Sequence, residues 1–283
     1  MTSVSKKLLF GTAGVPLSAP ISTTLAALDH IRALGLDCLE VEFVKGAKMG
    51  NETAALIGKK AAELDIRLSV HAPYYINLNS KEHGTRLASQ EHLLSSARLA
   101  RILGARSLVF HCGYYGHETP ETTFQNVKAA LRNVVSSLKS EGNPVILRPE
   151  TMGKKTQFGS LDEVLALCRE VEGLLPCIDF SHLHAREASE NSYRYFGHVL
   201  RKAEKKLGKA VTSDMHIHIA GILYGDRGEI KHLDLQKSDF NFDALLKALQ
   251  DEGAAGMVIC ESPNLEGDAL MLKDLYQSFR MKG

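Results

Sequence analysis

RLSVHAPYYINLNSKEHGTRLASQEHLLSSARLARILGARSLVFH, residues Arg67 to His111, holds one complete copy of the pattern from which the chain is built. Its ends, Arg67–His71 and Ser107–His111, are short apolar runs closed by a histidine, and residues 83–103 between them carry helical period. Strand, helix and second strand make a βαβ unit, whose crossover demands parallel pairing. Gly104 stands just past the helix, where a left-handed cap suits glycine.

The alternation continues in both directions. Further strands are predicted at Leu8–Gly11, Cys38–Phe43, Val145–Glu150, Cys177–Phe180, Met215–Ile219 and Met257–Glu261. Helices are predicted over about residues 22–34, 51–64, 121–140, 160–171, 192–207, 241–252 and 268–281. Ser160 and Glu163 have capping-box spacing, and Gly35, Gly142 and Gly253 follow helix ends. Strands recur at intervals of roughly 30 to 40 residues with no linker or low-complexity tract, which predicts one α/β domain over residues 1–283, a (β/α)8 TIM barrel. An open dinucleotide-binding sheet would want GxGxxG after its first strand, and Gly11-Thr-Ala-Gly14 is not that fingerprint.

With 34 Lys plus Arg against 33 Asp plus Glu, net charge carries no nucleic-acid footprint, although bound cations would make a carboxylate-rich mouth electropositive. Five cysteines, without CxxC spacing, predict buried thiols in a reducing cytoplasm. Gly11, Gly14 and Pro16 interrupt the apolar start before a signal-peptide core develops, and no apolar run reaches the roughly 18 residues of a membrane span.

From the third strand onward, each strand delivers a metal-binding side chain to its C-terminal end. These are His71, His111, Glu150, Asp179 with His182 three residues later, His218 and Glu261. Barrel enzymes assemble their sites at that face from several strand ends. Converging imidazoles and carboxylates in a partly dehydrated mouth need a counter-charge, and only Arg148 offers one nearby. The mixed donor set suits zinc, with manganese as the oxygen-rich alternative. Alternation aims His216 inward below His218, as a core residue or as support for the ligands, and turns Cys112 and Cys260 away from the interior. His184 reads as ligand, phosphate contact or loop surface, and His232 lies in a loop after the seventh strand. Tyr74, Tyr75 and Asn77 follow His71 in a loop, where such groups can stack on bases.

FGTAGVPLS, HAPYYINL, FHCG, PETMGK, IDFSHLHA, HIAG, KHLDL and ICESP, in this order along one barrel, resemble the endonuclease IV family of apurinic/apyrimidinic endonucleases, within the xylose isomerase-like barrels. The resemblance implies hydrolysis of double-stranded DNA 5′ of abasic sites by two or three zinc ions in a cytoplasmic, monomeric repair enzyme. It implies His71, His111 and Glu150 at the first zinc, with Glu150 and Glu261 essential to turnover. Glu150, Asp179, His218 and Glu261 would hold the second, and His182 with His232 the third. It further places Tyr74, Lys154, Lys155 and Arg227 against DNA. The chain departs from the family where Asp-Arg-His is usual, reading Glu229-Ile-Lys-His232, so that Glu229, Asp226 or water would take the place of the missing aspartate. The loop Thr151-Met-Gly-Lys-Lys-Thr-Gln157 is about one residue short. A single-metal sugar isomerase or epimerase of the same superfamily would need only Glu150, Asp179, His218 and Glu261. A protein that grips abasic DNA without cutting it is the remaining alternative.

Overall fold

The computed structural model describes residues 7–188 and 190–280. Residues 1–6, which begin the apolar start weighed above, and Met281, which ends the last predicted helix, lie outside these.

Eight parallel strands form one sheet that curls into a nearly closed barrel. They are β1 Leu8–Ala13, β2 Cys38–Glu42, β3 Arg67–His71, β4 Ser107–Phe110, β5 Ile146–Pro149, β6 Cys177–Asp179, β7 Met215–Ile219 and, after the hairpin described below, β10 Gly256–Cys260. Neighbours run β5-β4-β3-β2-β1-β10-β7-β6. The circle is completed between β5 and β6 by two isolated bridges, Leu147 with Leu174 and Glu150 with Cys177.

Helices between the strands cover the outside: α1 Thr24–Ala33, α2 Asn51–Glu63, α3 His83–Ile102, α4 Pro120–Ser140, α5 Leu161–Glu170, α7 Tyr193–Leu207, α9 Phe242–Asp251 and α10 Glu266–Arg280. Each lays an apolar stripe on the sheet, and residues such as Phe10, Phe110, Phe158, Phe180 and Phe196 are fully buried between the layers. Burial of this kind contributes roughly 1.5–3 kcal/mol per side chain. The expected capping box forms at α5: Ser160 Oγ accepts from the Glu163 amide, and the Glu163 carboxylate accepts from the Ser160 amide at 2.9 Å.

Three differences from the sequence reading bear on the mouth. Phe180 is not a strand residue: it starts an additional helix, α6 Phe180–Glu187, because the Asp179 carboxylate caps the chain there by accepting the His182 amide at 2.7 Å. The stretch carrying His232 is not a loop either. It forms an antiparallel hairpin, β8 Gly221–Gly225 and β9 Gly228–Leu233, turning at Asp226 and Arg227. His111, Glu150 and Glu261 each stand one residue beyond the end of their strands. A short helix, α8 Ala210–Ser213, precedes β7.

The barrel interior is layered. Leu9, Cys38 and Ile259 form a small apolar cluster of their own. The polar residues Glu40, Ser69 and His216, all buried, lie along the axis below the mouth. The Arg148 guanidinium, also buried, points away from the mouth, donating to Ser107 Oγ at 2.7 Å and to the carbonyls of Pro176 and Asp214. It therefore neutralises none of the mouth carboxylates.

Candidate metal centre

The eight expected ligands, from strand ends, α6 and the hairpin, all converge on one mouth, a cavity of about 360 Å³ bordered by Tyr74, His111, Lys154, His182, His232 and Glu261 among others. They form three overlapping groups, each able to bring one ligand atom per residue within 4.8 Å of the others: His71, His111 and Glu150; Glu150, Asp179, His218 and Glu261; and Asp179, His182 and His232. Glu150 belongs to two groups, and so does Asp179.

In the first group, Glu150 Oε2 lies 3.2 Å from His71 Nε2 and 3.1 Å from His111 Nε2. His71 Nδ1 donates to the Ala72 carbonyl at 2.7 Å, which fixes the tautomer of the neutral ring so that Nε2, once it has lost its proton, turns its lone pair toward the mouth. In the second group, His218 Nδ1 lies 3.1 Å from Glu261 Oε1 and 3.4 Å from Glu150 Oε1. In the third, the Nε2 atoms of His182 and His232 are 3.3 Å apart. His232 Nδ1 is 3.2 Å from the Glu261 carbonyl, which orients the ring.

Charge balance in this cluster demands cations. Burial would raise the Glu150 carboxyl, but the charges of His111 and His218, with the close approach of the His111 and His182 imidazoles, hold it well below the usual range. Glu261, opposed by burial in the same way, is held at about 2 by His218. Burial dominates at Asp179 and lifts it to about 6, against the pull of His182. Burial should depress His182 and His218, yet surrounding groups, Asp179 foremost for His182 and Cys177 and Glu261 for His218, hold both well above the ordinary imidazole value. Protons on imidazoles and metal cations would satisfy the same demand. The donor set fits metal: Glu150 Oε1, Asp179 Oδ2 and His218 Nδ1 are buried without a hydrogen bond, and all three belong to the second group.

Where the usual aspartate is missing, Glu229 reaches in. Its Oε2 lies 3.5 Å from His182 Nε2 with its side chain largely buried, whereas Asp226 is exposed at the hairpin turn. Two glycines make this approach possible. The Glu229 amide donates to the Gly153 carbonyl at 3.1 Å, and a Cβ on Gly153 would fall 2.7 Å from Glu229 Cβ. A Cβ on Gly228, whose φ is +88°, would fall 2.1 Å from the Gly153 carbonyl oxygen. The hairpin is thereby stitched to the loop after β5.

That loop is held from below by Arg186 of α6, whose Nη1 donates to the carbonyls of Met152, Lys154 and Gln157. Lys154 borders the cavity, and Lys155 Nζ donates to the Asp226 carbonyl at 3.0 Å. Arg227 is exposed at the hairpin tip, and Tyr74 stands 62% exposed on the opposite rim. Asn77 Oδ1 instead accepts from the Asn79 and Tyr114 amides, so this amide joins its own loop to the one after β4. His184 is no ligand of the mouth: it is buried in α6 and contacts Asp239 at 3.1 Å. The five cysteines are free and buried, and burial raises their thiols, which fits packing.

Two carboxylates escaped the sequence reading, which began its series at the third strand. Glu40 and Glu42 lie on β2, register partners of Ser69 and His71. Their alternation with Leu39 and Val41 was the available signal, since a strand covered by helices outside can place charge only inside the barrel. Glu42 borders the mouth cavity, and burial lifts its carboxyl to about 8 against the pull of His71.

Known proteins share this architecture. The family described as xylose isomerase-like TIM barrel matches residues 28–278. The uncharacterized protein MJ0133 of Methanocaldococcus jannaschii is 46% identical over 270 residues, covering 95% of this chain and 97% of that one. A probable endonuclease 4 of Mycoplasma pneumoniae is 25% identical over 201 residues, covering 69% and 68%. Among solved structures, endonuclease IV from Thermus thermophilus superposes with a TM-score of 0.72 at 18% identity, covering 96% of this chain and all of the other. A D-tagatose 3-epimerase-like protein reaches the same score at 19% identity, covering 95% and 97%. Backbone likeness therefore fixes the fold and leaves the chemistry to the mouth. No helix among the described residues is long and apolar enough to cross a membrane. By its matching family model and its strand-end site, the chain belongs to the xylose isomerase-like TIM barrel family.

Proposed function

We propose that this protein is a zinc-dependent phosphodiesterase of the endonuclease IV kind, incising double-stranded DNA on the 5′ side of abasic sites. The observation that carries the reading is the surplus of nitrogen donors. His71, His111, His182 and His232 lie beside the four-residue group Glu150, Asp179, His218 and Glu261, and Glu150 and Asp179 tie them into overlapping clusters. A one-metal isomerase would leave four imidazoles without a role. His71, His111 and Glu150 would hold one zinc, and Glu150, Asp179, His218 and Glu261 a second. His182, His232 and Glu229 would hold the third. Bound there, the ions supply Lewis acidity and lower the pKa of water toward neutrality. The chain's own part is to fix ligand tautomers, as Ala72 does for His71, and to keep carboxylates ionised in a buried site. Lys154, Lys155 and Arg227 meet the phosphates, and Tyr74 offers a ring to the lesion.

The four-residue group and the epimerase-like structural neighbour support a sugar epimerase as the second reading. Metal analysis of chelator-free protein together with assays on end-labelled abasic duplex and on ketoses separates the two. Two or three zinc ions and a 3′-hydroxyl product are expected. One metal with ketose epimerisation would overturn the nuclease, and tight binding of abasic duplex without product would indicate a non-cleaving binder.

A further inference from the structure

Below the mouth, three polar side chains surround the Glu40 carboxylate, none of them a member of the ligand set except His218. Glu40 is fully buried. Its Oε2 accepts from Ser69 Oγ at 2.7 Å and from His216 Nε2 at 2.8 Å. Its Oε1 is 2.9 Å from His218 Nε2, an off-axis contact, and both atoms are buried without a hydrogen-bond partner among the described residues. The other nitrogen of His218, Nδ1, faces Glu261 and Glu150 in the mouth.

We infer that Glu40 is a positioning residue for the metal centre: held by Ser69 and His216, it takes the Nε2 proton of His218 and so presents Nδ1 to the metal. An imidazole has one N–H and one lone pair when neutral, so the partner of one nitrogen decides what the other can do. A buried carboxylate on the far nitrogen fixes ring orientation and raises ligand basicity. His216 and Ser69 matter because a lone carboxylate in the barrel axis would carry an unmet desolvation cost and could turn. Glutamine cannot substitute. Its amide has one acceptor oxygen where the carboxylate has two, and three donors converge there.

This inference rests on the proposed metal reading, and the test separates the two. Zinc affinity of the full chain is measured by chelator competition, and the protonated nitrogen of His218 is read from long-range ¹⁵N–¹H correlations of the zinc-loaded protein. Glu40→Gln should weaken the weakest-retained ion of the Glu150 pair about 10- to 100-fold and broaden or switch the His218 pattern, while Ser69→Ala should weaken it a few-fold. Cys177, also beside His218, is the rival acceptor, and Cys177→Ala should retain wild-type affinity. Wild-type affinity and an unchanged Nε2–H pattern in Glu40→Gln would overturn the inference, as would a loss in Cys177→Ala alone. Should Glu40→Gln not fold, wild-type affinity in Ser69→Ala overturns it. A wild-type chain that takes up no zinc overturns the metal reading itself, and this inference with it.

Discussion

The mouth is built in two ways. His71, His111, Glu150, Asp179, His218 and Glu261 stand on or one residue past barrel strands, where sheet register sets their spacing. His232 and Glu229 ride on a hairpin whose Gly228 and Glu229 are stitched to Gly153 in the loop after β5. Strand-borne donors are fixed by the core. Hairpin-borne donors depend on loop packing. The two halves should therefore differ in how firmly they hold metal and in how their loss is felt.

The largest effect is expected from Glu150→Gln, which removes the carboxylate shared by two groups. Incision of abasic duplex should vanish and metal content should fall by more than one ion, measured by plasma mass spectrometry on folded protein. A variant that keeps both would show that the strand-borne half is not the catalytic one. His232→Ala should slow incision roughly 10- to 100-fold and lose a single ion, leaving the others in place. Mild chelation of the wild type should remove that same ion first. Glu229→Ala should loosen it further and Asp226→Ala should not. Equal retention in Glu229→Ala and wild type would unseat Glu229 as the replacement carboxylate.

Protons sharpen the contrast. Burial pulls the His71 imidazole down, but its hydrogen bond to Glu150 and the charge of Glu42 lift it to about 10. In the metal-free protein its stabilising contribution is full below the ordinary imidazole value near 6.5 and is lost as pH rises through about 10. A ligand must be neutral, so zinc has to expel that proton, and affinity at the strand-borne group should climb between pH 6 and 9, by about tenfold per unit for each proton displaced. A flat profile in chelator competition would contradict the charge balance described for the mouth. The smallest effect belongs to the rim. Lys154→Ala should weaken binding of duplex DNA uniformly across sequences and reduce the logarithmic salt slope by about one, as expected for a phosphate contact.

The same division explains what could be read before folding. Strand ends announce themselves, because apolar runs such as Ser107-Leu-Val-Phe stop at a histidine and the other strands from the third onward also end in an imidazole or carboxylate. Alternation also made His216 an inward residue, which it is. The hairpin was not legible, since Gly221-Ile-Leu-Tyr-Gly225 and Gly228-Glu-Ile-Lys-His-Leu233 lack a strong two-residue turn signal and take their shape from contact with Gly153. Asp179 illustrates a subtler limit. Its sequence position marks a strand end, but only the folded chain shows one carboxylate oxygen capping α6 and the other left to the mouth. Glu40 was hidden by its depth, because attention to strand ends overlooks a charge two residues below one.

The seam between β5 and β6 lacks a ladder and is joined at Glu150, whose backbone bridges Cys177, and at Leu147. A residue that links two donor groups is thus also a rivet in the barrel seam held only by isolated bridges. Local opening there would expose the seam and scatter the donors in a single event, so slow amide exchange around Thr151 and Cys177 would report occupancy of the mouth as faithfully as an assay of turnover.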